Sequence, residues 1–132
     1  MFLLRTRFLP LAPYCALTIG PLLLIRRGAK LTPSLLRHEQ IHWRQCRELL
    51  VFGFYIWYLL EWMLRLIEEA FRPSDFPSSF SSRPDAARTG RGLSALSQRA
   101  YFRISFEREA YTHQSDYRYL PERPLWAFRK YL

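Results

Sequence analysis

Thr32-Pro33 is the feature that most narrows the folds open to this chain. A threonine side chain can cap the first free amides of a helix, and a proline at the first helical position forfeits no hydrogen bond. From Leu35 to Phe71 only Gly53 then punctuates the sequence. The chain is therefore built around a long helical stretch, with His38, Glu39 and His42 in its second turn. Two imidazoles spaced four residues apart stand one above the other on a single helix face and can share one metal ion. Glu39, next to the first of them, is placed to take a proton from a water at that ion.

Upstream, Tyr14 to Ile19 and Leu22 to Arg26 are short apolar runs split by Gly20-Pro21. They predict a strand pair closed by a turn, although runs of this length also fit an early helix. Residues 1–13, ending in Pro10 and Pro13, are expected to run extended. The fold class that follows is mainly α with a small N-terminal β-hairpin.

Downstream, Leu49 to Leu60 is twelve residues without a charge, after which Glu61 and Arg65 interrupt. A membrane span needs about 20 apolar residues and pays roughly 2.5–3.5 kcal/mol for each central charge, so this run is too short to span alone. It reads either as a buried central helix or as a helix lying on a membrane surface. The second reading draws on Tyr55, Trp57, Tyr58, Trp62 and the flanking arginines. Residues 72–98 turn rich in serine, with three prolines and two glycines, and read as a flexible linker or disordered insertion within a single domain, with a short helical turn near Leu93-Leu96. Arg99 to about Asp116 is again helical in composition, with Ala100, Phe102, Phe106, Ala110 and His113 in one stripe. Pro124 is a start for a last short helix whose aromatic residues close over the core.

With 132 residues one domain is the natural expectation, and 49% hydrophobic with 17% aromatic residues excludes a disordered tail. The net charge of +9 rests on arginine, since Lys30 and Lys130 are the only lysines. Such a balance suits anionic lipid or nucleic acid, or simply keeps an aromatic-rich protein in solution. The arginines are dispersed and no nucleic-acid motif accompanies them, so a nucleic-acid partner is not expected. Cys15 and Cys46 read as buried thiols in a reducing compartment rather than as a bridge. The N-terminus lacks the uninterrupted apolar core of a secretory signal, which points to a cytoplasmic protein or one peripheral to the cytoplasmic membrane.

A catalytic zinc takes three protein ligands and keeps a position open for water. Beside His38 and His42, the candidates for the third ligand are Glu107, Glu109 and His113. Glu107 and Glu109 stand roughly 200° apart around a helix, so only one of them can bind the same ion.

Thr32-Pro33, His38-Glu39-Gln40-Ile41-His42 and Phe106-Glu107-Arg108-Glu109-Ala110-Tyr111 together resemble the gluzincin metallopeptidases, above all the minigluzincins. They also resemble short bacterial proteins that carry H-E-x-I-H, an aromatic helix and F-E-x-E-A-Y. The resemblance implies a minimal zincin-like arrangement, bound Zn2+ and hydrolysis of a peptide bond with Glu39 as the base. In gluzincins the third ligand is a glutamate in an E-x-x-x-D or E-x-x-A-D pattern. That register makes Glu107 the ligand, Ala110 the small residue, and Tyr111 the occupant of the usual aspartate position. The other register makes Glu109 the ligand, with His113 four residues on.

The missing aspartate leaves Tyr111 or Asp116 to orient a histidine, and Tyr111, Tyr117, Tyr119 and His113 as candidate oxyanion donors. Arg37 and Arg44, close to the motif, are further departures from working peptidases. Membrane proteases of the prenyl-processing type are similar in placing apolar helices between the two motifs, which implies peptide or protein substrates at a membrane surface. The expectation is thus a small zinc-dependent metallopeptidase; the alternative is a non-catalytic metal-binding protein or a basic membrane-associated scaffold.

Overall fold

The computed structural model describes residues 2–6, 16–72 and 93–132. Cys15 and residues 73–92 of the serine-rich stretch lie outside them; from Leu93 the chain is helical. The architecture is α+β, mainly helical with a small N-terminal sheet.

Strands β2 (Ala16–Ile19) and β3 (Leu22–Arg26) form an antiparallel hairpin. Gly20 makes the turn at φ +54, in the left-handed region that glycine enters without strain. The sheet is larger than a hairpin, because β1 (Phe2–Thr6) adds parallel to β3 and gives the order β1-β3-β2. A parallel partner distant in sequence leaves no turn signal, which is why only extended chain is legible there.

Helix α1 (Pro33–Glu48) begins as its sequence dictates: the Thr32 hydroxyl accepts a hydrogen bond from the Leu35 amide at 3.1 Å, with Pro33 at the first turn. It buries His38, Glu39, Ile41, His42, Gln45 and Cys46 on one face. Helix α2 (Phe52–Phe71) follows after a bend of 110°. The break falls at Leu50 (φ 54) and Val51 (φ 50), while Gly53, the only sequence punctuation, lies inside α2. Each of these two bulky residues in the left-handed region costs on the order of 1–3 kcal/mol. Val51 is held by packing against the core and by its amide on the Cys46 carbonyl at 2.8 Å, and the exposed Leu50 is carried with it.

Arg99 to Asp116 is likewise two helices, α3 (Leu93–Phe102) and α4 (Ser105–His113). The break has a visible cause. Buried Glu61 of α2 reaches the start of α4 and accepts hydrogen bonds from the Ser105 amide at 2.9 Å and the Ser105 hydroxyl at 2.6 Å. A carboxylate at a helix N-terminus satisfies orphan amides and meets the positive end of the dipole. A short α5 (Tyr119–Glu122) and a 3-10 turn (Ala127–Tyr131) finish the chain, the latter three residues beyond Pro124. The core gathers Cys46, Phe54, Ile104, Phe106 and Phe128. The Phe106 ring lies 4.8 Å from Phe54 and 4.6 Å from Phe128, so α2, α4 and the C-terminal turn meet on one aromatic residue.

Glu61 thus fixes the helix that carries the second motif. Glu61→Ala is expected to lower the unfolding free energy by roughly 2–3 kcal/mol, and Glu61→Gln by less, in denaturant titrations followed by circular dichroism.

Candidate metal centre

Three side chains from two helices converge. His38 Nε2 and His42 Nε2, one turn apart on α1, lie 3.0 Å from each other. Glu107 of α4 brings Oε2 to 3.3 Å from His38 Nε2 and Oε1 to 3.2 Å from His42 Nε2. All three side chains are buried. Ligands about 2.0–2.1 Å from a tetrahedral ion stand ~3.4 Å apart, so the observed separations suit one small ion. Glu107 Oε2 and His38 Nδ1 are buried and lack a hydrogen bond among the described residues. An unmade bond at a buried carboxylate oxygen is costly unless another partner is intended for it, and an ion beside His38 Nε2 and His42 Nε2 would meet Glu107 Oε2, though not His38 Nδ1.

The surroundings hold this set in place. Gln45 donates its amide to the Phe106 carbonyl at 3.1 Å and to Glu109 Oε2 at 3.2 Å. Both donations fix the amide's orientation, so Gln45 Oε1 accepts from His42 Nδ1 at 2.8 Å. His42 therefore carries a proton on Nδ1 and turns Nε2 toward Glu107, which is how a neighbouring acceptor selects a ligand tautomer. Tyr58 of α2 donates to Glu107 Oε1 at 2.9 Å, and Tyr101 of α3 also hydrogen-bonds that carboxylate. Glu39 stands beside the set, its Oε2 accepting from the Thr18 hydroxyl of β2 at 2.6 Å.

Burial alone would lower the His42 pKa, but the charge of Glu107 outweighs it and raises the imidazole from 6.5 to about 9. Burial pushes the Glu107 carboxyl up, yet His42, joined by His38, holds it well below the usual carboxylate range. Burial, then the Glu107 charge, push the Tyr101 phenol far up, so it stays a proton donor.

The other candidates fall elsewhere. Glu109 is fully buried on the far side of α4, where Arg123 and Tyr119 donate to its Oε1. Arg123 also pairs with Glu48, closing a buried ion network behind the site. His113 stacks flat on Tyr119 at 3.6 Å and bonds the Tyr131 hydroxyl at 2.8 Å. Tyr111 sets its ring edge-on to His38, 4.6 Å between centroids. Asp116 accepts from the Arg118 amide, and Tyr117 is 68% exposed. Arg37 turns outward to the Gln114 carbonyl at 2.6 Å.

Thr18, Gln45, Tyr58 and Tyr101 were not singled out by the sequence as site residues. Gln45 had a readable signal, since three residues past His42 is one turn along the same face. The others arrive by tertiary packing alone.

A cavity of about 640 Å³ opens in front of the set, walled by Thr18, Glu39, His42, Tyr55, Tyr58 and Tyr101 among others. Comparison with family models, curated proteins and solved structures finds no match to this chain.

Two outcomes follow. In metal-free protein the raised His42 pKa contributes stability that is complete below 6.5 and is lost as pH rises through about 9. The lowered Glu107 pKa contributes stability present above 4.5 and lost only as pH falls through its low folded value. Thermal unfolding of chelator-treated protein should therefore weaken from pH 6.5 to pH 9, and His42→Gln should flatten that decline. Secondly, Gln45→Leu should weaken zinc binding by about 10–100-fold in competition titrations with a fluorescent chelator.

Proposed function

We propose that this protein is a small zinc-dependent metallopeptidase. The observation that carries the reading is the buried meeting of His38, His42 and Glu107 at ligand spacing, with the Glu39 carboxylate beside them at the wall of a cavity. His38, His42 and Glu107 would hold the ion, two imidazoles and one carboxylate being a donor set that suits catalytic zinc. Bound there, zinc supplies a Lewis acid and makes a coordinated water acidic near neutral pH.

The chain's own residues carry the rest. Thr18 holds one oxygen of Glu39 and leaves the other to take the proton of an attacking water. Glu39 then returns that proton to the leaving nitrogen, so no covalent enzyme intermediate is needed. Gln45 keeps the His42 lone pair on Nε2, while Tyr58 and Tyr101 keep the Glu107 carboxylate facing the histidines. The cavity's Phe54, Tyr55, Leu59 and Trp62 give it an apolar wall for a substrate side chain.

One observation favours a second reading, a metal-binding protein without turnover: among the described residues His38 Nδ1 has no hydrogen-bond partner to orient it as a working ligand histidine. The two separate cleanly. Purified protein is expected to hold one zinc per chain and to cleave members of a peptide library. Glu39→Gln should keep the zinc and slow cleavage by about 10²–10⁴-fold. Zinc without cleavage in the wild type leaves the second reading; absence of stoichiometric zinc removes both.

A further inference from the structure

Helix α2 is turned inside out for a helix on a protein surface in water. Its four charges share one arc: Glu61 and Glu69 are buried against the protein, Arg65 is half-buried, and the exposed Glu68 at the edge of the arc pairs with Arg103. There Glu61 holds Ser105, and Glu69 meets Arg72, Arg99 and Arg103. At 100° per residue the opposite arc, about 160° wide, has no charged residue along the whole helix. Phe52, Ile56, Leu60, Leu64, Ile67 and Phe71 on that arc are 51–84% exposed among the described residues. The helix has 20 residues and so presents an apolar ridge about 30 Å long. An uncharged exposed surface of this extent marks an interaction site.

The N-terminal end of the ridge adds a second feature. Leu50 is 82% exposed while its backbone sits in the strained left-handed region. Trp126, also left-handed at φ 59, has its amide on Glu48 at the end of α1 and its ring exposed. Trp126 and Trp57 flank the same Phe128 ring, at 5.8 and 6.1 Å. Strain is thus maintained around side chains that water disfavours. Around this end Arg47, Arg129 and Lys130 are exposed and make no ion pair among the described residues.

We propose that this face docks on an anionic lipid bilayer, with α2 lying in the interface. Among the described residues no single helix is long and apolar enough to cross a membrane; only α1 and α2 together reach that length and composition, and the chain bends by 110° between them. The buried face of α1 lies in the core and the charges of α2 are paired within the protein, so α2 lies flat rather than spans. Charge complementarity selects lipid over a second copy: two chains of net charge +9 repel, whereas anionic headgroups attract Arg47, Arg129 and Lys130. The ridge consists of bulky side chains instead of the small residues that let helices approach closely. Tyr55, Tyr58 and Trp62, the aromatic residues that suggest a membrane surface in the sequence, line the cavity instead. Leu59, next to the ridge on α2, lines the cavity while 54% exposed, so the cavity mouth opens beside the docking face. The docking does not rest on the zinc chemistry.

The test is co-sedimentation of the full chain with vesicles of phosphatidylcholine alone and of phosphatidylcholine with phosphatidylglycerol in equal parts. Mass is measured in parallel by light scattering. Leu60→Glu/Leu64→Glu changes two exposed positions, and Ser115→Glu is the control at an exposed site elsewhere; circular dichroism checks that each variant folds. Wild type and control are expected to bind the anionic vesicles and to remain monomers. The double variant should lose more than about tenfold in affinity. Three results overturn the proposal: no binding to anionic vesicles at low salt, equal binding by the double variant, or a wild-type dimer that the double variant dissociates.

Discussion

Glu107 is a carboxylate almost wholly withdrawn from water, and the centre of the molecule is arranged around keeping it charged. An isolated buried carboxylate would take up a proton; this one is held ionised by His42, joined by His38, while Tyr58 and Tyr101 hydrogen-bond it. Those groups come from α1, α2 and α3, so the helices that wrap α4 are drawn to one point by a single charge. The same demand is met on the other side of α4. There Glu109 is buried against Arg123 and Gln45, and Gln45 passes its orientation on to His42. Two carboxylates two residues apart therefore do different work, one facing the histidines and one bracing the residue that aligns them.

Much of this was legible in the chain. Thr32-Pro33 fixes where α1 starts, and four-residue spacing puts His38 and His42 on one face. The strand pair is marked by Gly20-Pro21. What was hidden depends on partners far away in sequence. No glycine or proline announces the left-handed turn at Leu50-Val51, which places the inward stripe of α2 against α4. The break before Ser105 is made by Glu61, forty-four residues earlier. Choosing between Glu107 and Glu109 needs the rotation of α4 about its axis, and packing of Phe106 into the core sets that rotation.

The run Leu49 to Leu60 shows why composition alone misleads. As a buried central helix it would hide its aliphatic residues; instead Phe54, Glu61 and Glu69 are the buried positions of α2, and Ile56, Leu59, Leu60, Leu64 and Ile67 face out. One helix thus serves two surfaces. Its inner face supplies Tyr58 to Glu107 and a wall to the cavity, and its outer face is an uncharged ridge. A change at that ridge should leave the histidines alone, whereas a change at Tyr58 or Glu61 reaches them through Glu107 or through the start of α4.

The central claim is that two histidines of α1 and one glutamate of α4 share an ion. Anomalous diffraction at the zinc edge from crystals of zinc-loaded protein tests it most directly. The account predicts one strong peak bounded by His38 Nε2, His42 Nε2 and a Glu107 carboxylate oxygen. A crystal with no peak among those atoms, or with zinc held at Glu109 instead, would contradict it.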